Sequence, residues 1–202
     1  TVPNNSLVLQ VESHVGANSA RLGGEGDTID GTLPKVVAEP QSAEALTGLL
    51  GWASQEELTV SVRGGGTKLD WGGVLGAVDL VVSTAGLSSV VAHRHGDLTA
   101  TIEAGATLAS VNEALGARRQ WLPLDPPWAA RATIGGIVST NDSGPSRYRY
   151  GVPRDVIIGV TVVRADGEMA KAGGIVVKNV AGYDLSRLMT GAFGVLGVVV
   201  DV

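Results

Sequence analysis

The chain has 202 residues, of which 44% are hydrophobic, with a net charge of -5 and no cysteine. This length and apolar content suit one large domain or two closely packed subdomains. The lack of cysteine excludes disulfides and cysteine-ligated iron–sulfur clusters. The acidic balance argues against a nucleic-acid partner. No apolar run is long enough to span a bilayer, so direct membrane insertion is not expected.

Hydrophobic periodicity and turn signals predict the following elements in chain order. Residues 1–33 form a polar, glycine-rich N-terminal extension, and residues 34–202 form the main domain. Strands are predicted at 35–39, 58–63, 79–83, 90–95, 98–104, 155–164, 168–170 and 195–202. Helices are predicted after Ser42, at 108–117 behind a Thr107 cap, and at 183–189. Because only the first unit is clearly strand–helix–strand and the later strands suggest hairpins, the fold class is α+β.

The sharpest local motif is the run Arg63-Gly64-Gly65-Gly66-Thr67-Lys68, directly after a predicted strand. Consecutive glycines free neighbouring backbone N–H groups to form a concave anion site. The run matches neither the P-loop pattern nor the G-x-G-x-x-G dinucleotide fingerprint. The alternative is a flexible surface turn.

A second segment of small residues, 132–136, precedes Ile137 and Val138. Small side chains there permit a backbone to approach a ligand closely, and Thr133 and Ser139 add hydroxyl groups. The alternative is the tightly packed start of a buried helix. Together, the two glycine-rich segments are typical of two loops that enclose one diphosphate.

Several other polar groups suggest chemistry less strongly. The arginines at 131, 147, 149 and 154 either form a solvated basic loop or neutralise a phosphate. His93 and His95 share one face of a strand, but two residues are few for a structural metal site, so no metal is expected. No nucleophile elbow occurs, and no carboxylate pair suggests glycoside chemistry.

The motifs VRGGGTKL (62–69), TIEAGATL (101–108), LDP (124–126), ATIGG (132–136), GVPRDVIIG (151–159) and GAFGVLGVV (191–199) occur in this order. Through these motifs and their order, the chain resembles the FAD-binding domain of the vanillyl-alcohol oxidase / p-cresol methylhydroxylase superfamily. The run VKNVAGYDLSRL (177–188) makes it most similar to the GlcE-type FAD-binding subunit of bacterial glycolate oxidase. Lys178, Asn179 and Tyr183 belong to this signature, with a structural or a functional role.

The resemblance implies two packed α/β subdomains that clamp FAD, with a boundary near residues 105–130. It assigns the pyrophosphate to the first glycine loop and to the segment 132–136, and it places 139–151 along the ribityl chain and flavin ring. The adenine would contact 197–199. The implied cofactor-binding residues are Arg63, Gly64, Gly65, Gly66, Thr67, Lys68, Pro126, Thr133, Ile134, Gly135, Gly136, Ser139, Asn141, Gly144, Tyr148, Gly151, Gly197, Val198 and Val199.

The resemblance also has two departures. Many relatives attach the flavin to a histidine in the glycine loop, where this chain has Thr67, so non-covalent FAD is expected. The family continues into a C-terminal cap domain that is absent from residues 1–202, so no catalytic residue is named and this chain alone is expected to be incomplete.

The implied function is the FAD-binding subunit or domain of a flavin-dependent 2-hydroxy-acid oxidoreductase of the glycolate oxidase type. Its implied partners are the other subunits of such a complex and a small 2-hydroxy acid. Its implied location is the cytoplasm, either free or peripheral to the membrane through partner subunits. Two alternatives remain open: a flavin-holding or electron-relay module without its own turnover, and another oxidase of the same fold, of the alditol or lactone type.

Overall fold

The computed structural model describes residues 4–73, 75–174 and 184–202. Its helices are α1 (Asn4–Val15), α2 (Ala43–Gln55), α3 (Leu108–Gly116), α4 (Ile134–Thr140), α5 (Arg147–Tyr150), α6 (Pro153–Val156) and α7 (Leu185–Met189). Its strands are β1 (Ala20–Leu22), β2 (Val36–Ala38), β3 (Val60–Arg63), β4 (Leu80–Ser83), β5 (Val90–Arg94), β6 (Thr99–Ile102), β7 (Gly159–Val163), β8 (Met169–Gly173) and β9 (Val198–Asp201). This mixture confirms the predicted α+β class.

The first sheet has the strand order β1-β2-β4-β3. Strands β2 and β3 both run parallel to β4, as expected for two strands joined by the crossover helix α2. The Ser42 hydroxyl caps α2 by accepting a hydrogen bond from the Ala45 N–H. Leu46, Leu49 and Leu50 are buried at helical spacing and cover the sheet. The predicted strand–helix–strand unit is therefore confirmed.

The N-terminal segment contributes structure that its polar composition does not suggest. In the described part of residues 1–33, α1 packs on α2, and β1 extends the sheet antiparallel to β2. Leu7, Val11 and Val15 recur every fourth residue and are buried in the same core as α2. This spacing is the sequence signal that could have predicted α1.

The remaining strands pair antiparallel, as the predicted hairpins require. Strands β5 and β6 form one hairpin, and β8-β7-β9 form a three-stranded sheet. Backbone hydrogen bonds between Ile102 and Val202 join β6 to the end of β9. The chain leaves the first sheet between Ser83 and Val90. The subdomain boundary near 105–130 stays a prediction.

Two predicted strands begin three or four residues later than expected. The strand predicted at 155–164 starts at Gly159, because Pro153 begins the short helix α6 and the Asp155 carboxylate accepts the Val152 N–H at 2.9 Å. The strand predicted at 195–202 starts at Val198. Gly197, with φ +151, breaks the extended backbone immediately before it.

No helix in the described residues is long and apolar enough to cross a membrane. Lys178, Asn179 and Tyr183, together with most of the motif at 177–188, lie outside the described residues.

Candidate functional site

The first glycine loop follows β3. Among the described residues, no group accepts a hydrogen bond from the N–H groups of residues 64–68. Gly66 has φ +65, a conformation that glycine adopts without steric cost. A row of free N–H groups around such a residue is the arrangement that binds anions. This geometry is compatible with both the donor-site interpretation and the surface-turn interpretation of the run.

The second glycine segment uses its backbone donors internally. The Ile134 N–H donates to the Ala106 oxygen at 2.9 Å, and the Gly135 N–H donates to the Ala104 oxygen at 2.7 Å. The Thr133 hydroxyl caps α4 by accepting the Gly136 N–H at 3.3 Å. A Cβ added to Gly135 would lie 2.7 Å from the buried Ala104 Cβ. This segment is the tightly packed helix start that was the alternative in the sequence analysis.

The two segments also contact each other directly. A Cβ added to Gly64 would overlap the Thr133 hydroxyl, and one added to Gly65 would overlap the Arg131 carbonyl oxygen. Glycine is thus required at 64 and 65 for the approach of two backbones. Gly66 differs, because an added Cβ would meet only side-chain atoms at 3.7 Å or beyond.

A cavity of about 460 Å³ lies where these segments meet. This volume falls within the usual range for cofactor sites. Twelve of the predicted site residues line it: Gly64, Gly65, Gly66, Thr67, Lys68, Thr133, Gly135, Gly136, Ser139, Gly197, Val198 and Val199. The structure therefore brings together both glycine segments and the start of β9, which the sequence places far apart.

The other predicted site residues do not line this cavity: Arg63, Pro126, Ile134, Asn141, Gly144, Tyr148 and Gly151. Pro126 and Ile134 are buried. Asn141 ends α4 in the left-handed conformation, and its side-chain oxygen accepts the Arg154 N–H at 3.3 Å. Gly144, Tyr148 and Gly151 lie in the segment that follows α4, and Arg63 is the last residue of β3.

Gly144 and Gly151 are explained by local packing. A Cβ at Gly144 would overlap the Asp125 carbonyl oxygen, and the Asp125 carboxylate accepts the N–H groups of Gly144 and Ser146. Desolvation opposes the effect of these bonds, which nevertheless lower the pKa of Asp125. Gly151 has φ +84, and Tyr148 is 89% exposed.

Carboxylates already engage the two cations of the first loop. Arg63 lies 2.9 Å from Asp27, and Lys68 lies 2.8 Å from Asp142. The guanidinium of Arg21 also binds Asp27 and, with further hydrogen bonds from Gly24 and Arg63, holds the pKa of that carboxyl far below its usual range. The arginines at 147 and 149 lie over the rings of Tyr148 and Tyr150 at the surface.

Sequence reasoning missed part of the cavity wall. Phe193, Gly194 and Val195 line it, just before the predicted adenine contacts. Gly194 has φ +77, so the closely spaced glycines of this segment were the available signal.

At the hairpin, His93 Nε2 lies 2.7 Å from the Gln120 side-chain oxygen. Within the described ranges, no three His, Cys, Asp or Glu side chains group as metal ligands.

Comparison with known proteins identifies the family. Residues 34–173 match the model of the FAD binding domain. The chain is 32% identical over 170 residues to glycolate oxidase subunit GlcD of Bacillus subtilis (strain 168), covering 84% of this chain and 36% of that protein. It is 41% identical over 107 residues to glycolate oxidase subunit GlcE of Escherichia coli (strain K12), covering 52% of this chain and 31% of that protein. D-2-hydroxyglutarate dehydrogenase of Xanthomonas citri is 36% identical, over 83% of this chain and 36% of that protein.

Solved structures show the same fold at lower identity. An alkyldihydroxyacetonephosphate synthase superposes with a TM-score of 0.79 at 18% identity, over 98% of this chain and 42% of that one. A Physcomitrella patens BBE-like 1 protein superposes with a TM-score of 0.77 at 22% identity, over 96% of this chain and 43% of that one. The chain thus spans little more than a third of the curated relatives that it matches over most of its own length. It belongs to the FAD-binding domain family of the p-cresol methylhydroxylase type.

Proposed function

We propose that this chain holds FAD non-covalently, as the FAD-binding part of a 2-hydroxy-acid oxidoreductase of the glycolate oxidase type. The observation that carries the proposal is the row of backbone N–H groups at 64–68, which have no acceptor among the described residues and line a cavity of about 460 Å³. Backbone dipoles that converge on one point bind the oxygens of a diphosphate. The FAD pyrophosphate is such a group.

The surrounding wall supports this placement. Gly135 and Gly136 present little side-chain bulk, so a ligand on the first loop can lie against the start of α4. The Ser139 hydroxyl supplies a polar contact along the same wall, and residues 197–199 supply backbone on the far side. These residues would hold the pyrophosphate, the ribityl chain and the adenine in turn.

Non-covalent attachment follows from the side chains available. Thr67 stands where many relatives have the flavin-linked histidine, and its hydroxyl accepts a hydrogen bond from the Lys68 ammonium at 3.0 Å. The described residues that line the cavity include no histidine, cysteine or tyrosine. A threonine hydroxyl is a poor nucleophile without an adjacent base. We therefore expect the cofactor to be dissociable.

The relatives named for glycolate and D-2-hydroxyglutarate support a small 2-hydroxy acid as the substrate and the other subunits of a glycolate-oxidase-like complex as partners. The bound flavin would supply hydride acceptance from the substrate α-carbon. Among the described lining residues, Lys68 alone is ionisable, and it is paired with Asp142. The base that accepts the hydroxyl proton would thus come from outside this wall. The proposed location is cytoplasmic, free or peripheral to the membrane through partner subunits.

Acid precipitation of the purified full-length protein tests the cofactor and its attachment. We expect a flavin absorption spectrum before precipitation and complete release of yellow FAD into the supernatant afterwards. Colour retained in the washed pellet would contradict the non-covalent proposal. A colourless protein that takes up no added FAD would overturn the function itself.

Anaerobic mixing of the purified full-length protein with glycolate, D-lactate, L-lactate and D-2-hydroxyglutarate tests the substrate class. Bleaching of the flavin band by at least one of these acids is expected, and dithionite provides the positive control. Bleaching by dithionite alone would instead indicate a flavin-holding module or an oxidase of the alditol or lactone type.

A further inference from the structure

The first glycine loop is flanked by two cations, Arg63 and Lys68, which would be obvious phosphate ligands. Both side chains are instead paired with carboxylates. The Arg63 guanidinium lies 2.9 Å from an oxygen of Asp27, and its side chain is only 18% exposed. Arg63 is also absent from the described lining of the cavity. Its charge is therefore balanced away from the site where a phosphate would lie.

Asp27 is held by more than Arg63. Arg21 donates to both of its oxygens at 2.5 and 2.7 Å, and the Gly24 N–H donates to it at 2.9 Å. The Asp27 side chain is 6% exposed. A buried carboxylate with this many donors has one fixed position, and it transmits that position to the residue that begins the loop.

Lys68, at the other end of the loop, has a similar arrangement. Its ammonium lies 2.8 Å from Asp142, and the two side chains are 4% and 5% exposed. The Asp142 N–H donates to the Ile137 oxygen at 3.2 Å, which ties this carboxylate to α4. Removing one partner of a buried ion pair leaves a charge without compensation, so the pair resists separation.

The two ends of the loop are thus fixed to two different parts of the molecule. Arg63 is tied to the N-terminal segment through Asp27, and Lys68 is tied to the end of α4 through Asp142. Between them, the N–H groups of 64–68 are left without partners among the described residues. Asp142 neutralises Lys68, whereas Asp27 holds Arg63 in place and is shared with Arg21. The backbone dipoles remain as the anion-binding feature of the loop.

We propose that Asp27 and Asp142 are positioning residues for FAD, which hold Arg63 and Lys68 so that the backbone N–H groups of the loop bind the pyrophosphate. This inference rests on the proposed function and adds two residues to it. The direct-contact alternative, in which Arg63 and Lys68 bind phosphate, makes the opposite prediction. If it holds, removing either carboxylate frees a cation and strengthens FAD binding.

FAD titration of the full-length apoprotein separates the positioning model from the direct-contact model, because the first predicts that FAD affinity falls in the carboxylate variants and the second predicts that it rises. Asp27→Asn keeps the side-chain shape and an acceptor for the Gly24 N–H, but it removes the charge that holds Arg63. We expect FAD affinity to fall about tenfold, because charge-assisted hydrogen bonds are about twice as strong as neutral ones. Asp142→Asn is expected to act in the same direction. The visible circular dichroism of the bound flavin should change, which a loss of stability alone would not produce.

Asp30→Asn is the matched control. Asp30 is an exposed carboxylate on the same segment, and its φ of 49 is one that asparagine tolerates. The Asp30→Asn variant should bind FAD with the affinity of the wild type. If Asp27→Asn does not fold, Asp142→Asn alone carries the test, because the sign of its effect on FAD affinity separates the two models in the same way. In the double variant Asp27→Asn/Arg63→Gln, the loss should not exceed that of either single change by more than about twofold.

The outcomes are distinguishable from failure of the proposed function. A wild-type protein that does not bind FAD overturns that function and this inference together. A wild type that binds FAD, with carboxylate variants that bind it equally or more tightly, overturns this inference alone.

Discussion

The two glycine segments of the cavity look alike in sequence and differ in what their backbones do. The N–H groups of 64–68 have no acceptor among the described residues, whereas those of Ile134 and Gly135 donate to Ala106 and Ala104. Gly66 has a positive φ and space around an added Cβ, whereas Gly135 faces a buried Ala104 at 2.7 Å. In the first segment, Gly64 and Gly65 are packed against neighbouring residues and Gly66 has space beside it, whereas the second segment is packed at Gly135.

This difference separates affinity from stability within one site. A substitution that disturbs an open donor loop removes ligand contacts but few internal ones. A substitution in a packed segment forces neighbouring backbone to move, which costs folding free energy whether or not a ligand is present. Substituting the same residue type into the two segments should therefore give different phenotypes.

Gly135→Val should have the largest effect, and that effect should be on stability. The new side chain would overlap Ala104, which is fully buried, so we expect a loss of about 3 kcal/mol in the free energy of unfolding. Gly136→Val is the matched control in the same helix, because an added Cβ there meets only the Thr133 hydroxyl at 3.2 Å. Urea unfolding of the apoproteins measures both. Equal stability of the two variants would show that the second segment is not tightly packed.

Gly66→Val should act mainly on affinity. Valine is strained at φ +65 and would change the backbone conformation of the loop that carries the N–H groups, so we expect FAD affinity to fall about thirtyfold. Gly76→Val is the control, because an added Cβ there meets nothing within 4 Å and Gly76 does not line the cavity. Flavin fluorescence titration gives both dissociation constants. Wild-type affinity in Gly66→Val would mean that the first segment is only a turn.

Sequence periodicity was sufficient for most of the fold. The caps at Ser42 and Thr107, the parallel unit around α2 and both later hairpins follow from local patterns. In the structure, both glycine segments and residues 197–199 line one cavity. These features depend on neighbours in sequence or on a pattern that spans the whole domain.

Long-range side-chain pairing could not be predicted in the same way. Whether Arg63 faces a phosphate or Asp27 depends on where a segment 36 residues earlier in the chain folds. Likewise, the sequence does not show which groups accept the N–H groups of Ile134 and Gly135. Their acceptors, the carbonyl oxygens of Ala106 and Ala104, lie just after β6 and come close only in the folded chain. Composition gives no information about such partners.

The smallest expected effect concerns acid, which should weaken the scaffold of the first segment selectively. Asp79, just before β4, accepts the Thr59 N–H at 2.8 Å and lies 2.5 Å from the Lys35 ammonium. Desolvation opposes these interactions, but the bonds to Lys35 and Thr59 prevail and lower the pKa of Asp79 from 3.8 to about 2. A carboxyl with a depressed folded-state pKa contributes stability above its unfolded pKa and loses it as pH falls through the folded value.

Thermal unfolding of the apoprotein between pH 5 and pH 2 tests this effect. The wild type should lose stability progressively below about pH 4, and Asp79 should account for about 1–2 kcal/mol of that loss. Asp79→Asn should be less stable than the wild type at pH 5, with the difference shrinking towards pH 2, because asparagine does not titrate. The packed second segment is held by backbone bonds and apolar contacts, so hydrogen exchange at 134–138 should change later in the acid titration than exchange at 59–63. Simultaneous loss of protection in both segments would show that they unfold as one unit in acid. The two segments would then differ only in their effect on FAD affinity.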